Sequence, residues 1–278
     1  MLENKVAVIG GSGFLGSRLK KCFDLSNIKH IILMVEQIHL QMRAMQALSK
    51  SQDMTADNLA NLNTPGFKGN KIFYELYTEE VDGKRISQGL PMQTIDMSQG
   101  VLEGTGNSFD IAIEGEGFFT VQEGDRTYLT RNGRFHLDND GVLVDDKGNP
   151  VLGTNGLIEL KELVNGSENS DISDFKVSQD GTIHINGNEK SKIAILKPAK
   201  TSDLERHGNG YFKVDTIASL SPDESSKVHQ GFYEKGNVQP LNEMVDMMQT
   251  MQLFESQQKA MRTTDELLGK ITSQLGRY

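Results

Sequence analysis

Glycines near the start of the chain are spaced as in a phosphate-binding loop. Gly11, Gly13 and Gly16 form the pattern G-x-G-x-x-G directly after the short apolar run 6–9. Glycines at these positions let the backbone approach a pyrophosphate at the amino end of a helix. Glu36 follows about 20 residues later, where an acidic side chain would bind a ribose hydroxyl. This spacing fits a dinucleotide-binding fingerprint.

Residues 1–33 as a whole resemble the opening of an NAD-dependent epimerase or dehydratase, with a second strand expected at 28–33. A working dinucleotide domain needs several further parallel strands. A different pattern begins at Met34 and leaves no room for them. We therefore predict that residues 1–33 are a foreign-looking extension, a truncated Rossmann-like βα unit without function. The alternative is an NAD(P)-binding enzyme fragment fused to the remainder.

The other residues that could do chemistry do not form recognisable sets. The six histidines lie far apart, without the spacing of metal ligands (positions 30, 39, 136, 184, 207 and 229). Methionines 244, 247, 248 and 251 could bind a soft metal, but at helical spacing they are typical of adaptable packing. No serine, histidine and aspartate combination matches a catalytic motif. The sequence thus predicts no catalytic residue, no cofactor-binding residue and no metal site.

Charge and cysteine content narrow the class of protein. The net charge of −9 argues against a nucleic-acid-binding protein, which needs clustered Lys and Arg. Cys22 is the single cysteine, so no internal disulfide is possible. The apolar runs are far shorter than the ~20 residues of a membrane span. Glu3 and the basic residues Arg18, Lys20 and Lys21 do not fit a cleaved secretory signal, so any export is expected to use another route.

Hydrophobic periodicity predicts a long helix near each end of the chain. The first runs over 35–61, with its seam at Val35, Ile38, Met42, Met45, Ser49, Gln52, Ala56 and Leu59. Pro65 and Gly66 end this pattern. The second helix is expected over 238–275, with an apolar stripe that includes Leu241, Met248 and Phe254. Because both stripes are narrow, the two helices are expected to pair with each other or to pack with copies from other chains.

The middle of the chain is rich in hairpin signals. Asn-Gly or Asp-Gly turns recur every 8–12 residues, between short runs that alternate apolar and polar side chains (131–133, 139–141, 147–149, 179–181 and 186–188). We predict a mixed α and β fold. Long N- and C-terminal helices pair as a coiled-coil-like stalk around a central antiparallel β-rich domain. The expected segments are 1–33, 34–70, 71–228 and 229–278.

Two segments beside the helices carry a family resemblance. Residues 56–68 resemble A-N-N-L-A-N-x-N-T-P-G-F-K, the N-terminal signature of flagellar rod and hook proteins, with Asp57 in place of the usual Asn. Residues 230–238 resemble the C-terminal element Q-G-x-L-E-x-S-N-V, with Gly236 in place of Ser. Four further stretches agree in order (105–119, 128–135, 141–144 and 150–153). The chain is similar to the FlgF/FlgG family of flagellar basal-body rod proteins, and residues 252–259 and 264–268 are closer to FlgF.

This resemblance implies a structural subunit of the flagellar basal-body rod that catalyses nothing and transmits torque across the periplasm. The implied partners are further copies, other rod and hook-basal-body proteins, and the flagellar type III export apparatus, which carries such subunits without a cleaved signal peptide. No nucleic acid and no membrane span is implied. The expected assembly interface comprises Val35, Ile38, Met42, Met45, Asn58, Leu59, Asn61, Asn63, Pro65, Gly66, Phe67, Asn237, Val238, Leu241, Met244, Met248, Met251, Phe254, Met261 and Leu268.

Overall fold

The computed structural model describes residues 25–81, 84–161, 175–200, 203–208, 210–214 and 220–275. In these ranges the chain has one long helix toward each end and strands between them. Residues 51–249 form one compact unit, and residues 1–50 and 250–278 are grouped in a second. The boundary therefore falls inside each helix.

Helix α1 comprises Leu25–Ala60. The strand predicted at 28–33 is wrong, because these residues are helical. Their apolar run continues into an amphipathic pattern, and neither Gly nor Pro interrupts residues 25–60. Glu36 lies in this helix and does not follow a strand, so the dinucleotide interpretation gains no support from it. The predicted glycine loop, 11–16, lies outside the described residues.

Helix α2 comprises Pro240–Leu275, close to the predicted 238–275. Pro240 occupies the first turn, where its missing N–H costs no helical hydrogen bond. Glu243 also lies in the first turn, where a negative charge interacts favourably with the helix dipole. The sequence thus marks the beginning of this helix by local signals.

The predicted coiled-coil-like stalk is wrong. The first turns of the apolar stripe of α2 face solvent, with exposed fractions of 74% for Leu241, 48% for Met244 and 56% for Met248. In a coiled coil, such side chains insert between the residues of a facing helix and are buried. Over the described residues, the fold is β-rich with one long helix on each side of the strands. Heptad spacing alone did not reveal whether the apolar stripe was covered.

The strands between the helices pair in antiparallel fashion. In the described residues they are β1 (Asn70–Val81), β2 (Lys84–Ile95), β3 (Leu102–Gly104), β4 (Ile111–Glu114), β5 (Phe118–Glu123), β6 (Arg126–Thr130), β7 (Phe135–Leu137), β8 (Leu143–Asp145), β9 (Leu152–Gly153), β10 (Gly156–Leu157), β11 (Phe175–Val177), β12 (Thr182–Ile185), β13 (Asn188–Lys192), β14 (Ile195–Pro198), β15 (Leu204–His207), β16 (Tyr211–Val214), β17 (Leu220–Pro222), β18 (Lys227–Gln230) and β19 (Phe232–Glu234).

The largest sheet in this part of the chain has six strands in the order β15-β16-β6-β5-β14-β17. Successive side chains of a strand point to opposite faces. Phe119 accordingly packs into the main core, which includes Ile111 and Ile183, whereas Phe118 packs into a second cluster with Phe212. Both faces of the sheet are therefore covered.

Most of the predicted turns join paired strands. Asn186 and Gly187 have φ values of +52° and +78° and connect β12 to β13 through a two-residue loop, as the Asn-Gly signal predicted. The turn predicted at 131–133 is different, because β6 and β7 belong to different sheets. At Gly133 the backbone passes so close to Ile111 that an added Cβ would lie 1.6 Å from the Ile111 carbonyl oxygen.

Strands β1 and β2 form a two-stranded ribbon that pairs Asn70 with Ile95 at its base and Val81 with Lys84 at its far end. Ile95 packs beside the second cluster, together with Met97. The described helices contain no segment that is both long and apolar enough to cross a membrane.

Candidate functional site

The two segments that carry the family resemblance meet in the unit formed by residues 51–249. We call this meeting point the junction, and it comprises residues 57–70, 96–101, 131, 206 and 234–243. Beyond the end of α1, the backbone N–H of Gly66 donates to the carbonyl oxygen of Glu234 at 2.7 Å. Gly66 has φ +67°, and an added Cβ would lie 2.2 Å from the carbonyl carbon of Arg131. Only glycine fits there, for conformational and steric reasons.

The carboxylate of Glu234 is the centre of the junction. Its Oε1 accepts hydrogen bonds from Lys68 Nζ at 2.7 Å and from the Gly100 N–H at 2.8 Å. Its Oε2 accepts from Arg131 Nη1 at 3.2 Å. The exposed fractions are 1% for the Lys68 and Glu234 side chains and 3% for Arg131. One carboxylate thus pairs with two buried cations from separate parts of the chain.

The two cations have further partners that compensate for their burial. Lys68 Nζ also donates to the Ser98 carbonyl at 2.8 Å, and Arg131 Nη2 donates to the Gly115 carbonyl at 2.6 Å. The Arg131 guanidinium lies 4.8 Å from the ring centre of Phe118. Burial lowers the pKa of Lys68 and of Arg131, and in each case the charge of Glu234 opposes this shift. Loss of that carboxylate would leave both charges uncompensated.

Asn237 connects the turn before α2 to the end of the ribbon. Its Nδ2 donates to the carbonyl oxygens of Asp96 and Ser98, at 2.7 and 3.0 Å. Its Oδ1 accepts from the Gly69 N–H at 2.7 Å, and its own N–H donates to the Phe67 carbonyl at 3.2 Å. A single amide side chain therefore satisfies backbone groups of both segments, which a side chain lacking either a donor or an acceptor could not do.

Asn58 connects α1 to α2. Its Oδ1 accepts from the Asn70 N–H at 2.7 Å, while its Nδ2 donates to the Asn70 carbonyl and to Glu243 Oε1, at 3.0 and 3.1 Å. Burial raises the pKa of Glu243, as does the charge of Asp246, and the hydrogen bond from Asn58 opposes the shift. Asn61 acts locally, since its Nδ2 donates to the Asp57 carbonyl at 2.9 Å.

The expected interface residues occupy different environments in the structure. Those in or beside the junction that are buried are Asn58, Asn61, Pro65, Gly66 and Phe67. Those that are half-buried are Ile38, Met45, Leu59, Asn237, Val238, Phe254, Met261 and Leu268. Those that are exposed are Met42, Asn63, Leu241, Met244, Met248 and Met251. The side chain of Val35 lies outside the described residues. The buried members are thus engaged within the chain, and the exposed members are available to a neighbour.

Sequence reasoning missed the charged residues of the junction. Lys68, Arg131 and Glu234 each lie within a motif that carries the resemblance, but none was predicted as a site residue. The sequence did contain a signal for these sites, because each charged residue lies within two residues of a glycine that is typical of a turn. Met54 and Thr55 were also missed, and both are buried on a face of α1 outside the predicted seam. Among the described residues, no group of His, Cys, Asp and Glu could hold a metal ion.

The fold and the junction are typical of a structural protein, one that builds an assembly. Hydrogen bonds and ion pairs join the two ends of the β-rich unit, and the long helices carry exposed apolar side chains. Three protein-family models match this chain. They are a flagella basal body rod protein model at residues 38–68, a flagellar hook protein FlgE/F/G D1 domain model at 112–185, and a flagellar basal body rod FlgEFG protein C-terminal model at 229–275.

Curated relatives agree with these matches. The chain is 28% identical to the flagellar basal-body rod protein FlgG of Bacillus subtilis, covering 86% of this chain and 99% of the relative. It is also 28% identical to the rod protein FlgF of Caulobacter vibrioides, covering 86% and 98%. A match of 34% identity to the hook protein FlgE of Treponema pallidum covers 40% of this chain and 28% of that protein.

The chain belongs to the family of flagellar basal-body rod proteins. The predicted membership and the predicted role as a structural rod subunit are confirmed, and its place is the flagellar basal body, in assembly with other rod and hook proteins. The FlgG of Bacillus subtilis and the FlgF of Caulobacter vibrioides match at the same identity, so the closer likeness to FlgF stays a prediction.

Proposed function

We propose that this rod subunit polymerises through the exposed apolar side chains of its terminal helices, while the junction joins the end of the first helix to the beginning of the second within residues 51–249. The observation that carries the proposal is the exposure of Leu241, Met244, Val245 and Met248, at spacings of three and four residues on one helix face. Large exposed apolar patches mark sites of protein association. Burial of one such side chain contributes roughly 1.5–3 kcal/mol.

The junction suits a subunit that bears a mechanical load. A pull on α2 is transmitted through Glu234 and Asn237 to Lys68 and Gly69 at the end of the N-terminal signature and to Arg131 directly after β6, because their hydrogen bonds span these segments. Buried ion pairs are costly to break one partner at a time. The junction would therefore resist separation of the chain ends when torque passes along the rod.

We further infer that the chain catalyses nothing, works in the periplasm and is delivered by the flagellar type III export apparatus without a cleaved signal peptide. The support is the family's structural role and the absence of cysteine from position 23 onward, which avoids wrong disulfides in an oxidising compartment. A strain with an inactive export apparatus should keep the chain in the cytoplasm at full length. Delivery to the periplasm in that strain would contradict the proposed route.

The apolar surface of α2 is tested by one substitution and a neighbouring control. Met248→Asp should abolish motility and rod incorporation in a strain that lacks the gene, because an unpaired carboxylate would be buried at the subunit contact. The thermal transition of the purified chain should stay unchanged, since Met248 is exposed in the free subunit. Gln249→Asp adds the same charge at the adjacent exposed position, about a quarter of a turn around the helix from Met248, and should leave swimming intact. Normal swimming with Met248→Asp would refute this assembly surface.

A further inference from the structure

Arg206 contacts the junction from the sheet, and the family resemblance gives it no role. It lies on β15, the edge strand of the six-stranded sheet. Its guanidinium carbon lies 4.6 Å from the ring centre of Phe67 and 5.8 Å from that of Phe212. Its Nη2 donates to the Lys68 carbonyl and, at 3.3 Å, to Asn70 Oδ1. Arg206 thus holds the turn after α1 against the edge of the sheet.

The charge of Arg206 is poorly compensated by direct contacts. Within the part of the chain that the structure describes, its Nε and Nη1 atoms are buried and have no hydrogen-bond acceptor. Burial lowers the pKa of Arg206, and the charge of Asp57 opposes this shift. Asp57 is therefore the acidic residue whose field acts on this guanidinium.

Asn70 connects the two charged groups through its side-chain amide. Its Nδ2 donates to Asp57 Oδ2 at 2.8 Å, while its Oδ1 accepts from Arg206. A carboxylate only accepts and a guanidinium only donates, so the pair allows one orientation of the Asn70 amide. Reversal of that amide would place two donors opposite each other and two acceptors opposite each other.

Asp57 also accepts a hydrogen bond from a second side-chain amide, that of Asn61. Asn61 Nδ2 donates to Asp57 Oδ1 at 3.1 Å, so each carboxylate oxygen has one amide donor. An asparagine at position 57 could accept only one of these two bonds, because its other terminal atom is itself a donor. Asparagine is the residue that the family signature has at this position. Aspartate at position 57 therefore accepts hydrogen bonds from both Asn61 and Asn70, which asparagine could not do.

We propose that Asp57 and Arg206 are a matched pair of positioning residues, which together orient Asn70 and fix the turn after α1 on the edge strand of the sheet. The aspartate at position 57 is then the counterpart of Arg206 in this chain, and the two should be replaceable together more easily than singly. This role concerns the geometry within one subunit and does not depend on how subunits assemble.

A double-mutant cycle on the full-length chain tests the pairing. Asp57→Asn should raise amide hydrogen exchange across residues 66–71 roughly tenfold, the effect of losing one hydrogen bond to a charged group. In an Arg206→Met background, the same Asp57→Asn change should add less than about twofold, because the partner charge is gone. The matched control is Asp53→Asn, one turn earlier on α1 at an exposed position, which should leave the exchange unchanged.

A rescue variant separates positioning from general loss of packing. Arg206→Lys keeps a cation opposite Asp57 but lacks the planar fork, so it should restore part of the protection that Arg206→Met loses. Equal effects of Asp57→Asn in both backgrounds, or an effect of Asp53→Asn as large as that of Asp57→Asn, would overturn the pairing. So would a lysine variant that is no better than the methionine variant. If Arg206→Met does not fold, the cycle is run with Arg206→Gln, with the same expectations.

Discussion

Glu234 concentrates the electrostatics of the junction in one side chain. Its two oxygens accept hydrogen bonds from Lys68, Arg131 and the Gly100 backbone N–H, and the side chains of Lys68, Arg131 and Glu234 are almost fully buried. Glu234→Gln should lower the free energy of unfolding by about 3–5 kcal/mol, because the amide has a similar shape but leaves two buried cations without a counter-charge. Denaturant unfolding measures the loss. Glu103→Gln breaks an exposed pair with Lys235 and should leave the midpoint unchanged.

Two glycines of the junction should respond to substitution in opposite directions. A Cβ at Gly236 would lie 3.5 Å from Phe67 Cβ, an ordinary contact, so Gly236→Ser should stabilise the chain by about 0.4–1 kcal/mol through the unfolded state. Gly66→Ala should destabilise it by more than about 1 kcal/mol, because the site requires positive φ and lacks space. Calorimetry of both variants measures these changes in stability. Destabilisation by serine at 236 would show that this turn needs glycine.

The sequence predicts which segments form the junction better than it predicts which residues pair within it. The N-terminal signature and the element at 230–238 located it, and the turn at Pro65 and Gly66 followed from local chemistry. The pairing of Glu234 with Lys68 and Arg131 did not, because contacts between residues 166 and 103 positions apart leave no periodic trace along the chain. Arg206 was missed for the same reason, since it reaches Phe67 and Lys68 only through the fold.

At the scale of elements, hydrophobic period predicted the helices and turn chemistry predicted most hairpins. The paired stalk was wrong because a narrow apolar stripe indicates that something covers it, without indicating what. Leu241, Met244 and Met248 have the spacing of a coiled-coil seam and are exposed in the free chain. The helical run at 28–33 was misassigned because short apolar runs of β-branched residues fit either state until their continuation is considered.

The contact between α1 and α2 at Glu243 should appear in the pH dependence of stability. Burial raises the pKa of Glu243 above its ordinary value of 4.5, so the folded state binds this proton more tightly than the unfolded state. Its contribution to stability is therefore present below pH 4.5 and is lost as the pH rises through the folded pKa.

Glu243→Gln should remove that contribution while keeping an acceptor for Asn58. The wild-type and variant unfolding free energies should then diverge between pH 4 and 7 in favour of glutamine. Unfolding titrations at several pH values measure the difference. A gap that is independent of pH would show that Glu243 does not titrate differently in the folded chain.

At the scale of the whole molecule, stability should be unevenly distributed. Strands β5 and β6 pair in the buried sheet, whereas α2 carries exposed apolar side chains along its length. Hydrogen exchange should therefore be slow at 118–130 and fast at 250–275 in the purified subunit, because opening a helix with few buried contacts costs little. The same segment of α2 should become protected in isolated basal bodies. Equal protection of both segments in the free subunit would contradict this distribution.

The distance along the chain between Lys68 and Glu234 has a consequence for the order of events during synthesis. The two residues are 166 positions apart, and Arg131, which binds the same carboxylate, lies between them in the sequence. At a translation rate of about 5–20 residues per second, roughly 10–30 s pass between the two residues. During that interval Lys68 lacks the Glu234 carboxylate, with which it pairs in the folded chain. The buried ion pair of Lys68 therefore cannot form until Glu234 has been made, and α2 begins only six residues later, at Pro240.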